Sequence, residues 1–324
     1  MVGGSNPPSA TTLLADAVDR GARSLSVPDD ATLLLAVSGG PDSMALLYGA
    51  SRLVASGSRG WTLSVAHLDH ALRPESAGDA AFVADSADSL GLHAHVRRSD
   101  VAALARETGR SLEEAGRAAR YAFFEELASE RNALIATAHT ADDAAETVLI
   151  NLLRGSGLSG ARGIPARNGR VVRLLLGERR AELRRHLDAA GIPYRLDPSN
   201  DDPAFLRNRV RAELLPLMEE LRPGAVEALA RFARLSADDD ELLDTVAAAE
   251  LERRRRHDGS IDWREPPTRA LGRRVLRLAM GEPAPSAERI EALLDAAEGP
   301  RGGLRVELGG GRVASVRERR ITLD

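Results

Sequence analysis

The 324-residue chain contains no cysteine, no lysine and no glutamine. Without cysteine it can carry no structural disulfide, no thiolate zinc site and no persulfide or thioester of its own. Without lysine, all 44 strongly basic residues are arginine. A codon bias toward Arg, Ala, Gly and Pro is the bland explanation, yet the chemical consequence stands. No phosphate-loop lysine, Schiff-base lysine or lysine general base is available. Long apolar runs are lacking too; none approaches the roughly 18 residues that a membrane-spanning helix needs. The first ten residues, MVGGSNPPSA, read as a floppy leader and not as a signal peptide. These features predict a cytoplasmic protein without a membrane partner. The formal charge of −4 argues against a uniformly basic surface. Any nucleic-acid binding must then rest on local arginine patches.

What is present is a globular chain, 43% hydrophobic and long enough for two domains. A short amphipathic helix over 11–24, with Thr11 or Thr12 as its cap, is followed by a buried strand at 31–37 and a helix at 43–57. Strands at 61–67, 93–98 and 133–139 then alternate with helices near 76–90, 100–107, 111–130 and 141–155. Such alternation predicts an α/β fold, a doubly wound and mostly parallel sheet with functional residues at the strands' carboxyl ends. A helix at 178–190 precedes an irregular stretch over 192–216, and LRPG at 221–224 punctuates the chain. Beyond it come helices near 225–257, 267–280 and 286–297, then a hairpin turning at Gly309–Gly311. The expected division is a leader and first helix over 1–30, a catalytic domain over 31–222, and a small helical or α+β C-terminal domain over 223–324.

The stretch LLLAVSGGPDSMALL (33–47) breaks from strand to helix at Ser38-Gly39-Gly40-Pro41-Asp42-Ser43. Free backbone N–H groups and the positive helix end suit an anion there, and the two glycines allow close approach. Ser38 and Ser43 add hydroxyl donors. Asp42 would repel phosphate unless a cation intervenes, which marks it as a Mg²⁺ ligand or as a carboxylate aimed at an attacking group. A plain N-cap turn is the alternative. The sequence is neither a Walker A motif nor a dinucleotide fingerprint.

Three further constellations sit at strand ends or on helices. In HLDHALRPES (67–76), His67, His70 and Arg73 are spaced by three, suited to a nucleotide and, with no cysteine and no clear third ligand, poorly suited to a metal. In EEAGRAARYAFF (113–124), Glu114, Arg117, Arg120 and Tyr121 share a helical face, either salt-bridged to solvent or facing phosphate or RNA. In ATAHTADDAAETVLINLLRGSG (136–157), His139 precedes Asp142, Asp143 and Glu146 at a helix start. The dipole alone favours acids there, but the three could also hold Mg²⁺ or an ammonium group. Lastly, LDPSNDDPAFLRNRVRAELLP (196–216) alternates Arg207, Arg209 and Arg211 around Asn208, ahead of a helix that ends near Pro216, a density suited to ligand or RNA contacts.

SGGPDS after a buried strand resembles the PP-loop of the ATP pyrophosphatases, which cleave ATP between its α and β phosphates. Such a loop holds pyrophosphate with backbone amides and Mg²⁺, so no lysine is required. Over roughly 31–220 the chain resembles the bacterial tRNA(Ile)-lysidine synthetase family, most specifically in the DPSN…RNRVR block. That family often has His where Thr140 stands, Gln at Ala144 and Pro at Leu174. The resemblance implies ATP as cosubstrate with Mg²⁺, free lysine, and an isoleucine tRNA with a CAU anticodon. In that chemistry the O2 of the wobble cytosine is adenylated, and the ε-amine of lysine then displaces AMP from C2. Lysine's ammonium, with a pKa near ~10.4, must first lose a proton.

The roles implied are these. Residues 38–43 with His67 and Arg73 bind ATP. Asp42 lies on Mg²⁺ or near the amine, Asp143 and Glu146 hold the lysine, and Arg117 and Arg207 orient phosphate or base. His139, Asp142, Arg120, Asn208 and Arg209 contact substrate. The C-terminal domain, with its Arg253–Arg256 run, would grip tRNA, and a homodimer is compatible with the resemblance. Thiolating relatives need cysteine, which is absent here. An amide-forming PP-loop synthetase and a non-catalytic RNA-binding module stay open as alternatives.

Overall fold

The structure, a computed structural model, describes residues 9–72, 76–196, 202–203, 205–281, 285–299 and 303–323. Helix α1 (Ala10–Ser24) is capped by Ser9, whose hydroxyl accepts the Thr12 N–H, so the expected cap lies inside the helix. Strand β1 (Thr32–Ala36) leads into α2 (Pro41–Ala55), where Pro41 occupies the first turn with its preset φ. The alternation continues through β2 (Thr62–Asp69), α3 (Ser76–Ser89), β3 (Ala94–Arg98), α4 (Val101–Thr108), α5 (Leu112–Arg131), β4 (Leu134–Thr137) and α6 (Ala141–Leu153). These elements start and stop within about two residues of the sequence expectation, the usual scatter of helix and strand ends.

Beyond α6 the structure departs from that expectation. After α7 (Leu158–Ala161), two short strands, β5 (Arg167–Asn168) and β6 (Val171–Arg173), join the sheet. Neither is long enough to show a period of two. Helix α8 (Arg180–Ala189) follows. The stretch expected to be irregular, with a helix ending near Pro216, is helical from Leu206 and continues through Pro216. It runs as α9 (Leu206–Arg209), a π turn (Val210–Leu214) and α10 (Leu215–Leu221), with Pro216 in the first turn of α10. Helix α11 (Ala225–Arg254) follows.

The sheet order is β3-β2-β1-β4-β6-β5, parallel except for the β5–β6 pair. Leu33, Leu34 and Leu35 of β1 are fully buried because the sheet is covered on both faces. Leu33 and Leu35 point into a cluster with Leu14 and Val18 of α1, Leu46 and Leu47 of α2, and Leu183 and Leu187 of α8. Leu34 points the other way, toward Phe123, Phe124 and Leu127 of α5. Helix α1, expected outside the catalytic domain, thus contributes to its core. The chain runs from β1 to β2 on one side and returns to β4 on the other. The β1/β4 junction is therefore the switch point where a doubly wound sheet opens a crevice.

The chain divides into two compact units, one up to Arg234 and one from Leu235, where the sequence suggested 222. The second unit holds most of α11, from Leu235 onward, with β7 (Ile261–Asp262), α12 (Arg269–Met280), α13 (Ala287–Glu298), β8 (Leu304–Gly309), β9 (Arg312–Arg317) and β10 (Arg320–Leu323). Its strands form an antiparallel sheet, β7-β10-β9-β8, around buried Trp263 and Leu293. No helix among the described residues is long and apolar enough to cross a membrane.

Candidate active site

The loop after β1 is built by its own side chains. Gly39 has φ +88°, a region an L-residue rarely adopts. Ser43, buried at the start of α2, donates its hydroxyl to the Gly40 carbonyl at 2.9 Å and accepts the Ser38 N–H at 3.2 Å. Its proton is thus spent on shaping the loop, whereas Ser38 is exposed. The Gly39 carbonyl accepts the Arg195 N–H at 2.9 Å, a brace from 156 residues away that no sequence signal announced. His67 is buried behind the loop, with Nδ1 2.8 Å from the Val37 carbonyl. A carbonyl only accepts, so Nδ1 carries the proton, and burial lowers the imidazole below its usual range. His67 thus props the loop through its Nδ1. Arg73 lies outside the described residues.

The loop after β4 carries the second group. Thr140 and Asp143 form a capping box. The Asp143 Oδ2 accepts the Thr140 N–H at 2.8 Å and its hydroxyl at 2.9 Å. The threonine that departs from the resembled family is therefore the cap of α6. The other oxygen, Oδ1, accepts Arg180 Nη2 at 2.8 Å. Glu146, fully buried one turn on, accepts Arg180 Nη1 at 3.1 Å, Arg207 Nε at 2.8 Å and Arg211 Nε at 2.7 Å. Asp142 turns to the backbone N–H of Arg180 at 2.8 Å.

Burial opposes the charge of Asp143, but Arg180, His139 and the Thr140 N–H outweigh it and hold the carboxyl below its ordinary range. Burial likewise opposes Glu146, and Arg211 and Arg180 lower it overall against repulsion from Asp143. His139 lies beside Thr137 at 2.9 Å, and burial drops its imidazole to about 4, Asp143 pulling upward and Arg173, Arg207 and Arg117 adding to the fall.

Asp42 joins the two loops. Its Oδ2 accepts Arg180 Nε at 2.9 Å, while its Oδ1 is buried without a hydrogen-bond partner. Burial pushes this carboxyl above the ordinary range in spite of Arg180. Arg180 was not foreseen from the sequence. One signal was available, since a cation in the first turn of a helix opposes the dipole and implies acidic partners.

The remaining expected residues divide. Glu114 of α5 is spent on a capping box with Ser111. Arg117 lies 4.9 Å over the Tyr121 ring. Together with Asn168 and buried Arg173 they line a cavity of about 610 Å³. Arg120 leaves this face and donates to His70 Nε2 at 2.9 Å. Arg207 and Arg211, one turn apart, both reach Glu146, whereas Arg209 points away to Glu213 at 3.0 Å and is exposed. The alternating spacing did not reveal this helical geometry, which puts Arg209 on an exposed face outside the Glu146 cluster. Asn208 donates to the Asp202 carbonyl at 2.9 Å. In the second unit, Arg253 pairs with Glu250, Arg254 pairs with Glu250 and packs over Trp263, and Arg256 pairs with Asp262, so three of the four side chains of the Arg253–Arg256 run are engaged internally. Among the described residues, no three His, Asp or Glu side chains converge as a metal site.

A family profile described as a PP-loop domain matches residues 14–218. The tRNA(Ile)-lysidine synthase of Thermus thermophilus is 48% identical over 220 residues, 68% of this chain and 42% of that protein. That of Geobacter sulfurreducens is 43% identical over 262 residues, covering 76% of this chain and 54% of the relative. That of Leifsonia xyli subsp. xyli is 41% identical over 262 residues, covering 77% and 76%. The chain thus spans about half the length of the first two relatives. A U34-tRNA thiolase from Methanococcus maripaludis shares the fold, with a TM-score of 0.57 at 15% identity over 70% of this chain and 79% of that one.

Proposed function

The chain belongs to the PP-loop family and, within it, to the tRNA(Ile)-lysidine synthases, and on that premise we propose that it ligates lysine to C2 of the wobble cytidine of a CAU-anticodon isoleucine tRNA, consuming ATP to AMP and pyrophosphate. The observation that carries the reading is the continuity of two loops at the switch point. Asp42 of the phosphate loop and Asp143 and Glu146 of the carboxylate helix share one guanidinium at 2.8–3.1 Å. An ATP-activated base and an attacking amine need such neighbouring seats.

The N–H groups of the loop and the start of α2 receive phosphate, with the exposed hydroxyl of Ser38 alongside. The unpartnered Asp42 Oδ1 fits one Mg²⁺ bond, and phosphate oxygens would supply the other ligands in the manner usual for this ion. Bound there, Mg²⁺ would neutralise charge on the departing pyrophosphate. Asp143 and Glu146 are already paired with guanidiniums, so a substrate ammonium exchanges with one of those and does not enter an empty acidic hole. Arg110, Arg117 and Arg173 outnumber Glu114 and Glu125 in the lining of the neighbouring cavity, and with Tyr121 they suit an exposed base and its phosphate. An anticodon loop presents that base without the cost of opening a duplex.

The test is lysine incorporation into CAU-anticodon tRNA by the wild-type chain and its Asp42→Ala and Asp143→Ala variants. We expect incorporation by the wild type and a loss of about 100-fold or more in each variant, the scale of losing a positioned charged group. Near-wild-type incorporation by either variant removes that residue from the site.

A further inference from the structure

We propose that Arg180 is a positioning residue that fixes the phosphate-loop helix α2 against the carboxylate helix α6 at the spacing the reaction needs. The inference rests on the function proposed above and adds a residue that none of the motifs singled out. Arg180 uses three different nitrogens on three different carboxylates: Nε on Asp42, Nη2 on Asp143 and Nη1 on Glu146. A planar guanidinium holds such a set at fixed mutual angles, whereas an ammonium is a point charge and would satisfy fewer of them. Neither Arg207 nor Arg211 is hydrogen-bonded to Asp42. Both act on Glu146 and lie 3.8 Å from Asp143.

The base of the side chain is held as firmly as its tip. The Arg180 N–H donates to Asp142, and the neighbouring Arg179 bonds Asp142, Glu219 and Glu227. The Ala141 N–H at the start of α6 donates to the Glu178 carbonyl just before α8. Leu183 and Leu187 anchor α8 in the core. Asp42 and Asp143 repel one another, so removing the shared cation would drive the two loops apart. Arg180 acts through these carboxylates and need not touch substrate.

Two readouts test this. The first is independent of the reaction. Urea unfolding of Arg180→Ala, Asp42→Ala and the double variant should be non-additive, the double losing clearly less than the sum of the singles; simple additivity overturns the bridge. The second is steady-state lysine incorporation. Arg180→Ala and Arg180→Lys, assayed per folded molecule, should lose at least about 100-fold in kcat with the KM for ATP within about threefold. Millimolar guanidinium should restore part of the Arg180→Ala turnover. Wild-type-like kcat in either variant, a loss confined to KM, or no response to guanidinium overturns the positioning role. Should the wild type itself form no lysidine while the unfolding cycle stays non-additive, the proposed function fails and the bridge stands.

Discussion

Glu146 shows how much one residue organises. It has no solvent exposure and accepts hydrogen bonds from three arginines. Removing it leaves three partly exposed arginines without their shared partner, which with solvent screening costs about 1–3 kcal/mol. Glu146→Ala should lose stability on that scale in urea unfolding, and a loss below about 1 kcal/mol would mean that the cluster is not a structural unit. His139 contributes to the pH dependence. Its folded pKa is about 4, against about 6.5 in an unfolded chain. Between these values the unfolded state binds more protons, so stability rises with pH. The His139 contribution is complete above about pH 6.5 and is lost as pH falls toward about 4. In His139→Asn the fall in unfolding free energy between about pH 7 and about pH 5 should be shallower than in the wild type. An unchanged slope would assign it to other groups, His70 being the nearest candidate with the same depression to about 4.

Among the elements, the α1–α2 contact depends on a small residue. A Cβ at Gly49 would lie 2.7 Å from both the Leu14 carbonyl oxygen and Val18 Cγ2. The helices would have to separate, and Gly49→Ala should lower stability by about 1–3 kcal/mol, read as a fall in Tm. An unchanged Tm would show that α1 is loosely held. The sequence revealed the elements whose residues follow a strong local rule. The Leu-rich β1 run, the Ser-Gly-Gly break and the acid-rich start of α6 each carry their own signal. Strands β5 and β6 did not, because two or three residues show no periodicity. The extent of the helix from Leu206 was hidden by Pro216 and the π turn, and the arginines there looked like alternation when Arg207 and Arg211 in fact share a face. Arg180 was invisible for a different reason. Its role depends on Asp42, 138 residues away, and only folding brings them together.

For the whole molecule, the absence of lysine means that arginine provides every strong side-chain cation, for internal pairing as well as for any phosphate contact. Much of that arginine is spent internally, as in the Arg269 and Arg274 clusters of the second unit. The formal charge of −4 therefore leaves anion binding to focused sites, and the loop after β1 is the clearest of them. The central claim is that this loop grips the β and γ phosphates so that the nucleotidyl group is the part transferred. The direct measurement is the fate of ATP labelled at the α and γ phosphates, incubated with the chain, lysine and CAU-anticodon tRNA. The account predicts α label in AMP, γ label in pyrophosphate and lysidine at the wobble position; α label in ADP with γ label in inorganic phosphate would contradict it.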